Sequence, residues 1–171
     1  MIDMKIKRSA IGSSIVALFV VVALATAAWA GGKPLHHVSV GGPDACEALG
    51  FDGPGCDANY SFTAIQFYDT TVNGQFTDQF GHGNGGIHAV LDCLYVSGNQ
   101  AWVSGIITHD TATGSGAWVG LRVAATVVDN GNSKKDPPDQ ISFSNIGDDR
   151  PCTDMVAYAL LDFPDGQVKV R

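Results

Sequence analysis

The stretch Ala117-Trp118-Val119-Gly120-Leu121-Arg122-Val123-Ala124-Ala125-Thr126-Val127-Val128-Asp129 alternates with period two. Val119, Leu121, Val123, Ala125 and Val127 fall on one side of an extended chain, and Gly120, Arg122, Ala124, Thr126 and Val128 on the other. Successive side chains of a strand point to opposite faces, so the pattern predicts a half-buried strand and not a helix.

Working outward, Ala101 to Thr108 pairs with this strand across the polar tip His109 to Gly116. Ile87 to Val96 is apolar on both faces for part of its length and reads as a central strand, joined to its successor by Ser97-Gly98-Asn99-Gln100. Phe62 to Tyr68 and Val72 to Phe80 form a hairpin through Asp69-Thr70-Thr71, and Asp78 alone breaks the apolar side Val72, Gly74, Phe76, Phe80. Gln140 to Ile146 and Gln167 to Arg171 are further strands, while residues 153–163 carry no pattern that assigns them. The expected fold is all-β: an antiparallel meander of about seven or eight strands, closed into a small barrel or folded as a sandwich.

Residues 31–59 are rich in Gly, Pro and Asp, and read as an irregular N-terminal arm in which Ala45 to Leu49 makes one helical turn. Before it, Lys5, Lys7 and Arg8 precede the apolar run Ile15 to Ala25 and the small residues Ala28 and Ala30. That order is a signal peptide cleaved after Ala30, since the run falls well short of the ~20 residues that cross a bilayer. The organisation is thus 1–30 signal peptide, 31–59 arm and 60–171 all-β domain, with a secreted or periplasmic product and no membrane partner after cleavage.

The formal charge is −7, and loss of three cations and Asp3 with the leader makes the remainder more acidic still. Nucleic acid binding needs cationic surface, so a polyanion is excluded as the expected partner, while carbohydrate or protein stays open. Glu47 is the only Glu beside many Asp, a skew towards turns and away from helices. The four cysteines, Cys46, Cys56, Cys93 and Cys152, include no C-x-x-C pair, and in an exported chain they read as two disulfides. Of the three connectivities, Cys46 with Cys56 and Cys93 with Cys152 is preferred.

Pro54-Gly55-Cys56-Asp57-Ala58-Asn59, the run Asp92-Cys93-Leu94-Tyr95-Val96-Ser97-Gly98-Asn99-Gln100-Ala101-Trp102-Val103-Ser104-Gly105, and Asp129-Asn130-Gly131 followed by Pro137-Pro138-Asp139-Gln140-Ile141-Ser142-Phe143 form a linked set. On these motifs the chain resembles a group of short, secreted, uncharacterised bacterial all-β proteins, over about residues 54–171. The resemblance implies a shared fold and export, and no activity or catalytic residue.

Candidate chemistry is sparse. Asp129, Asn130, Asn132, Asp136 and Asp139 gather oxygen donors of the kind calcium takes, although no Glu closes the loop and Lys134 and Lys135 sit inside it. A solvated loop turning at Asn130-Gly131 is the favoured alternative. The histidines His36, His37, His82, His88 and His109 show no ligand spacing, and His88 and Asp92 stand about 13 Å apart along one strand. Neither G-x-S-x-G nor H-E-x-x-H occurs. Asp148-Asp149 would suit glycoside chemistry, but adjacent loop carboxylates are usually solvated. Trp102 and Trp118 would stand near each other across a ladder if their strands pair around the tip, giving a ligand platform or simply sheet packing.

These features favour a non-catalytic β-module for binding or structure over an enzyme. The alternatives are a small β-barrel lyase or isomerase using isolated polar residues such as His88, Tyr95 or Arg122, and an assembly subunit whose arm adds a strand to a neighbour.

Overall fold

The computed structural model describes residues 32–43, 59–81, 84–133 and 135–171. The expected signal peptide and its cleavage point, the helical turn at 45–49, and Cys46 and Cys56 lie outside the described residues. Among the described residues, ten strands make one antiparallel sheet: β1 Pro34–Pro43, β2 Asn59–Phe67, β3 Val72–Gln79, β4 Gly86–Ser97, β5 Gln100–Asp110, β6 Arg122–Val128, β7 Gln140–Ser142, β8 Asn145–Ile146, β9 Leu160–Asp162 and β10 Gln167–Val170. Their order is β10-β1-β2-β3-β4-β5-β6-β7-β9, with β8 pairing β6 beyond β7.

The all-β class stands, with three corrections. The sheet curls as a half-barrel and is neither a hydrogen-bonded closed barrel nor a two-sheet sandwich. The N-terminal arm is not irregular over 34–43: this segment is β1, paired on one edge with β2 and on the other with β10. Val38 and Val40 alternate inward there and are buried, a short period-two signal hidden among Gly and Pro. The strand expected at Ala117 to Asp129 begins only at Arg122, and Val119 and Leu121 are half exposed outside it. The strand count rises because Gln140 to Ile146 breaks into β7 and β8, and the unassigned stretch contributes β9.

The concave face carries the core. Val38, Val40, Tyr60, Phe62, Ala64, Phe76, Ile87, Ala89, Leu91, Val103, Ile107, Val123, Ala125 and Val127 alternate onto it from β1 to β6. Phe163, just past β9, enters the same cluster and meets Tyr60 edge-on at 6.2 Å, while Tyr60 meets Phe76 at 5.3 Å. Burial of each large apolar side chain contributes about 1.5–3 kcal/mol, which lets a segment without periodicity hold its place through one aromatic anchor.

Two bulges adjust the central ladder. The β4–β5 register passes from Leu91 opposite Gly105 to Cys93 opposite Ser104, leaving Asp92 as an extra residue. It also passes from His88 opposite His109 to Ala89 opposite Ile107, leaving Thr108 extra on β5. Gly105 permits the first: a Cβ at this position would lie 2.1 Å from the carbonyl oxygen of Val90. A bulge re-aims the side chains that follow it, and here it turns Asp92 towards β6.

Candidate functional site

On the convex face, polar side chains of three strands converge. The Arg122 guanidinium of β6 reaches across β5 and grips Asp92 with both terminal nitrogens, at 2.6 and 3.0 Å. Its Nη1 also donates to Ser104 Oγ on the intervening strand at 3.2 Å. The planar fork of arginine matches a carboxylate in this two-bonded way, which fixes geometry as well as charge. Hydrogen bonding to Asp92 holds the guanidinium more firmly protonated than usual. Asp92, Cys93, Ser104, Arg122, Asp149 and Pro151 line an open cleft of about 320 Å³.

Asp149 and Pro151 form one wall of the cleft, and the segment that carries them is tied to β4 and β5. Cys93 of β4 is bonded to Cys152 in the 3-10 turn Cys152–Asp154, with Cα atoms 6.0 Å apart. Asp148 closes the segment: it accepts from Arg150 Nε at 2.8 Å and from the Tyr158 hydroxyl at 2.5 Å. The Arg150 guanidinium, and then the Tyr158 hydroxyl, depress the Asp148 carboxyl far below the usual range. Burial, and then the neighbouring Asp148, push the Tyr158 phenol up to about 12. Asp148 is therefore an anion at every physiological pH, unsuited to act as the acid of a glycoside-cleaving pair with Asp149.

Trp102 lies beneath this cover. Its indole N–H donates to the Val156 carbonyl at 3.1 Å, its ring meets Tyr95 at 6.1 Å, and it is only 8 % exposed. Trp118 is elsewhere. The register sets Trp102 opposite Thr126, so the expected neighbourhood of the two tryptophans does not form. Trp118 packs edge-on to Phe80 at 6.1 Å, and its backbone N–H donates to Asp110 at the far end of β5. Asp110 also accepts from Ala112 N, Thr113 N and Thr113 Oγ1, organising the polar tip. Burial raises its affinity for a proton, but these hydrogen bonds outweigh that and hold the carboxyl below its ordinary value.

In the loop proposed for calcium, the carboxylate oxygens accept from backbone N–H groups. Asp129 accepts from Gly131 N and Val170 N, Asp139 from Asn130 N and Val168 N, and Asp136 from Ser133 N. The Asn130 amide donates to Pro138 O, and Asn132 Oδ1 accepts from the Gln167 amide. Among the described residues no three His, Cys, Asp or Glu side chains form a metal-holding group.

Of the polar residues singled out on the strands, Arg122 enters the cleft, Tyr95 packs on Trp102, and His88 is bonded through Nδ1 to Thr77 Oγ1 at 2.9 Å. The Asp92–Arg122–Ser104 constellation was not legible from spacing, because a bulge creates it. Arg122 is the only Lys or Arg within β2 to β9, and a lone cation in an apolar strand was the available sign that a carboxylate stands opposite. Among the described residues, no helix is long and apolar enough to cross a membrane. No protein family, curated protein or solved structure matches the chain.

Proposed function

We propose that this chain is an exported β-module with a binding or structural role and no catalysis of its own. The observation that carries the reading is how its polar clusters are employed. Asp129 and Asp139 hold β10, Asp148 with Arg150 and Tyr158 closes the cover over Trp102, and Asp110 shapes the tip. Each is spent on fixing irregular chain to the sheet. The Cys93–Cys152 bond suits an oxidising compartment, in keeping with a secreted or periplasmic location.

The convex face of β1 to β4 supports a neutral, hydroxyl-rich ligand, and carbohydrate is the class it fits best. Ser39, Ser61, Thr63, Asn73, Gln75 and Thr77 alternate outward there, with no fixed charge on that face before Asp92. An uncharged array of donors and acceptors on an acidic protein recognises neutral ligands better than polyanions. Affinity electrophoresis through neutral polysaccharides tests this. Retardation that is lost in Thr63→Glu and Gln75→Glu, with unchanged melting temperature, is the expected result.

A second reading, a small lyase or isomerase, is favoured by the cleft at Arg122. Substrate turnover that disappears in Arg122→Met, in a chain that no neutral polysaccharide retards, would replace the binding reading. Strand addition to a neighbour by the arm would require β1 to leave both of the strands with which it pairs in its own sheet.

A further inference from the structure

β4 and β5 bring His88 and His109 directly opposite each other beside the Thr108 bulge. Both side chains are exposed on the convex face, and their ring centroids stand 5.9 Å apart with the planes tilted by 41°. We propose that the two imidazoles form a bidentate site for a divalent transition-metal ion of the zinc and nickel class, completed by water or by a donor from a bound partner.

The distance carries the argument. A metal–imidazole bond of about 2.0–2.1 Å places the metal about 3.2 Å from each ring centroid. Two such legs separate the centroids by about 5.2 Å at a tetrahedral angle, and by about 6.4 Å when collinear. The observed 5.9 Å lies inside that interval, so one ion spans the pair with at most a rotation of the rings.

The surroundings favour it further. His88 Nδ1 is within 2.9 Å of Thr77 Oγ1, so the ring is oriented, and with Nδ1–H donating to Thr77 the outer Nε2 keeps its lone pair for a metal. A hydrogen bond on the second nitrogen is the usual support of a metal-binding histidine. No Lys or Arg occurs in β2, β3, β4 or β5, so no cation in these strands opposes a divalent ion, and the chain as a whole is acidic. Imidazole, with no thiolate or carboxylate in the pair, selects zinc, nickel or copper over calcium or magnesium.

The site borders the proposed carbohydrate face and shares Thr77 with it, so its test reads metal alone. Calorimetric titration of the full chain with zinc, after treatment with chelator, should show one ion bound per chain. Binding should vanish in His88→Ala and in His109→Ala, persist in the His36→Ala/His37→Ala variant, and weaken about tenfold or more in Thr77→Val. Ring nitrogen NMR of the unmodified chain should show His88 and His109 shifting together at one equivalent of zinc, a readout that needs no variant. A wild-type chain that binds no zinc, an unchanged isotherm in His109→Ala, or ring shifts confined to one of the two histidines would overturn the proposal.

Discussion

Asp139 Oδ2 accepts the backbone N–H of Val168 at 2.6 Å, and Oδ1 of the same carboxylate accepts that of Asn130 at 2.8 Å. Asp129 repeats the arrangement with Val170 at 3.0 Å. β10 pairs with β1 on one edge, and on its other edge these two carboxylates stand where a neighbouring strand would be. The half-barrel is therefore fastened at its seam by side chains and not by a ladder, which also protects the edge of β10 from foreign strands.

Asp139→Asn turns an amide donor towards an N–H group and should lower stability by about 1–3 kcal/mol, the cost of a buried donor left without its acceptor. Urea denaturation in the presence of chelator separates this role from calcium binding. Seam closure predicts a lower midpoint for the variant with calcium absent. If calcium binding is the role, chelator should lower the wild-type midpoint to that of the variant, and millimolar calcium should raise it again.

The Cys93–Cys152 bond holds a cover that lacks an apolar pattern of its own, and its closed loop spans 59 residues. Replacing both cysteines by serine should cost about 4 kcal/mol by loop-closure entropy, against about 3 kcal/mol for the same change at 46 and 56 if Cys46 and Cys56 are bonded as the sequence leads one to expect. The first variant should also shift Trp102 emission to the red, since Val156 would no longer shield the indole. A larger loss from the second pair in urea denaturation would refute this ranking.

Asp148 and Tyr158 give the cover opposite limits in pH. The Asp148 carboxyl is depressed in the folded chain, so its contribution is complete above the ordinary value of 3.8 and is lost as pH falls below it. The Tyr158 phenol is raised, so its contribution is complete below 10.0 and is lost as pH rises towards about 12. Trp102 fluorescence followed from pH 7 in both directions should report both transitions. Tyr158→Phe should abolish the alkaline one and move the onset of the acid one upward.

Period-two runs such as Phe62 to Tyr68 and Val123 to Val127 determined the strand class from sequence alone, because alternation is a local property that survives without knowledge of neighbours. The Asp69-Thr70-Thr71 turn was legible for the same reason: Asp69 Oδ1 accepts from Thr71 N and Oγ1 two residues on. Compartment and count lead to the expectation that the cysteines pair, with three connectivities open, and the structure shows Cys93 bonded to Cys152. Register did not follow from the sequence, and register decides which distant residues meet. The Asp92 bulge exists because Gly105 lets the Val90 carbonyl approach, and only that bulge hands Asp92 to Arg122. The Thr108 bulge likewise follows directly on the pairing of His88 with His109. β1 and Phe163 were decided by the tertiary structure too. Segments dense in Gly, Pro and Asp have little local preference, and they take their conformation from the sheet edge and the aromatic cluster that receive them.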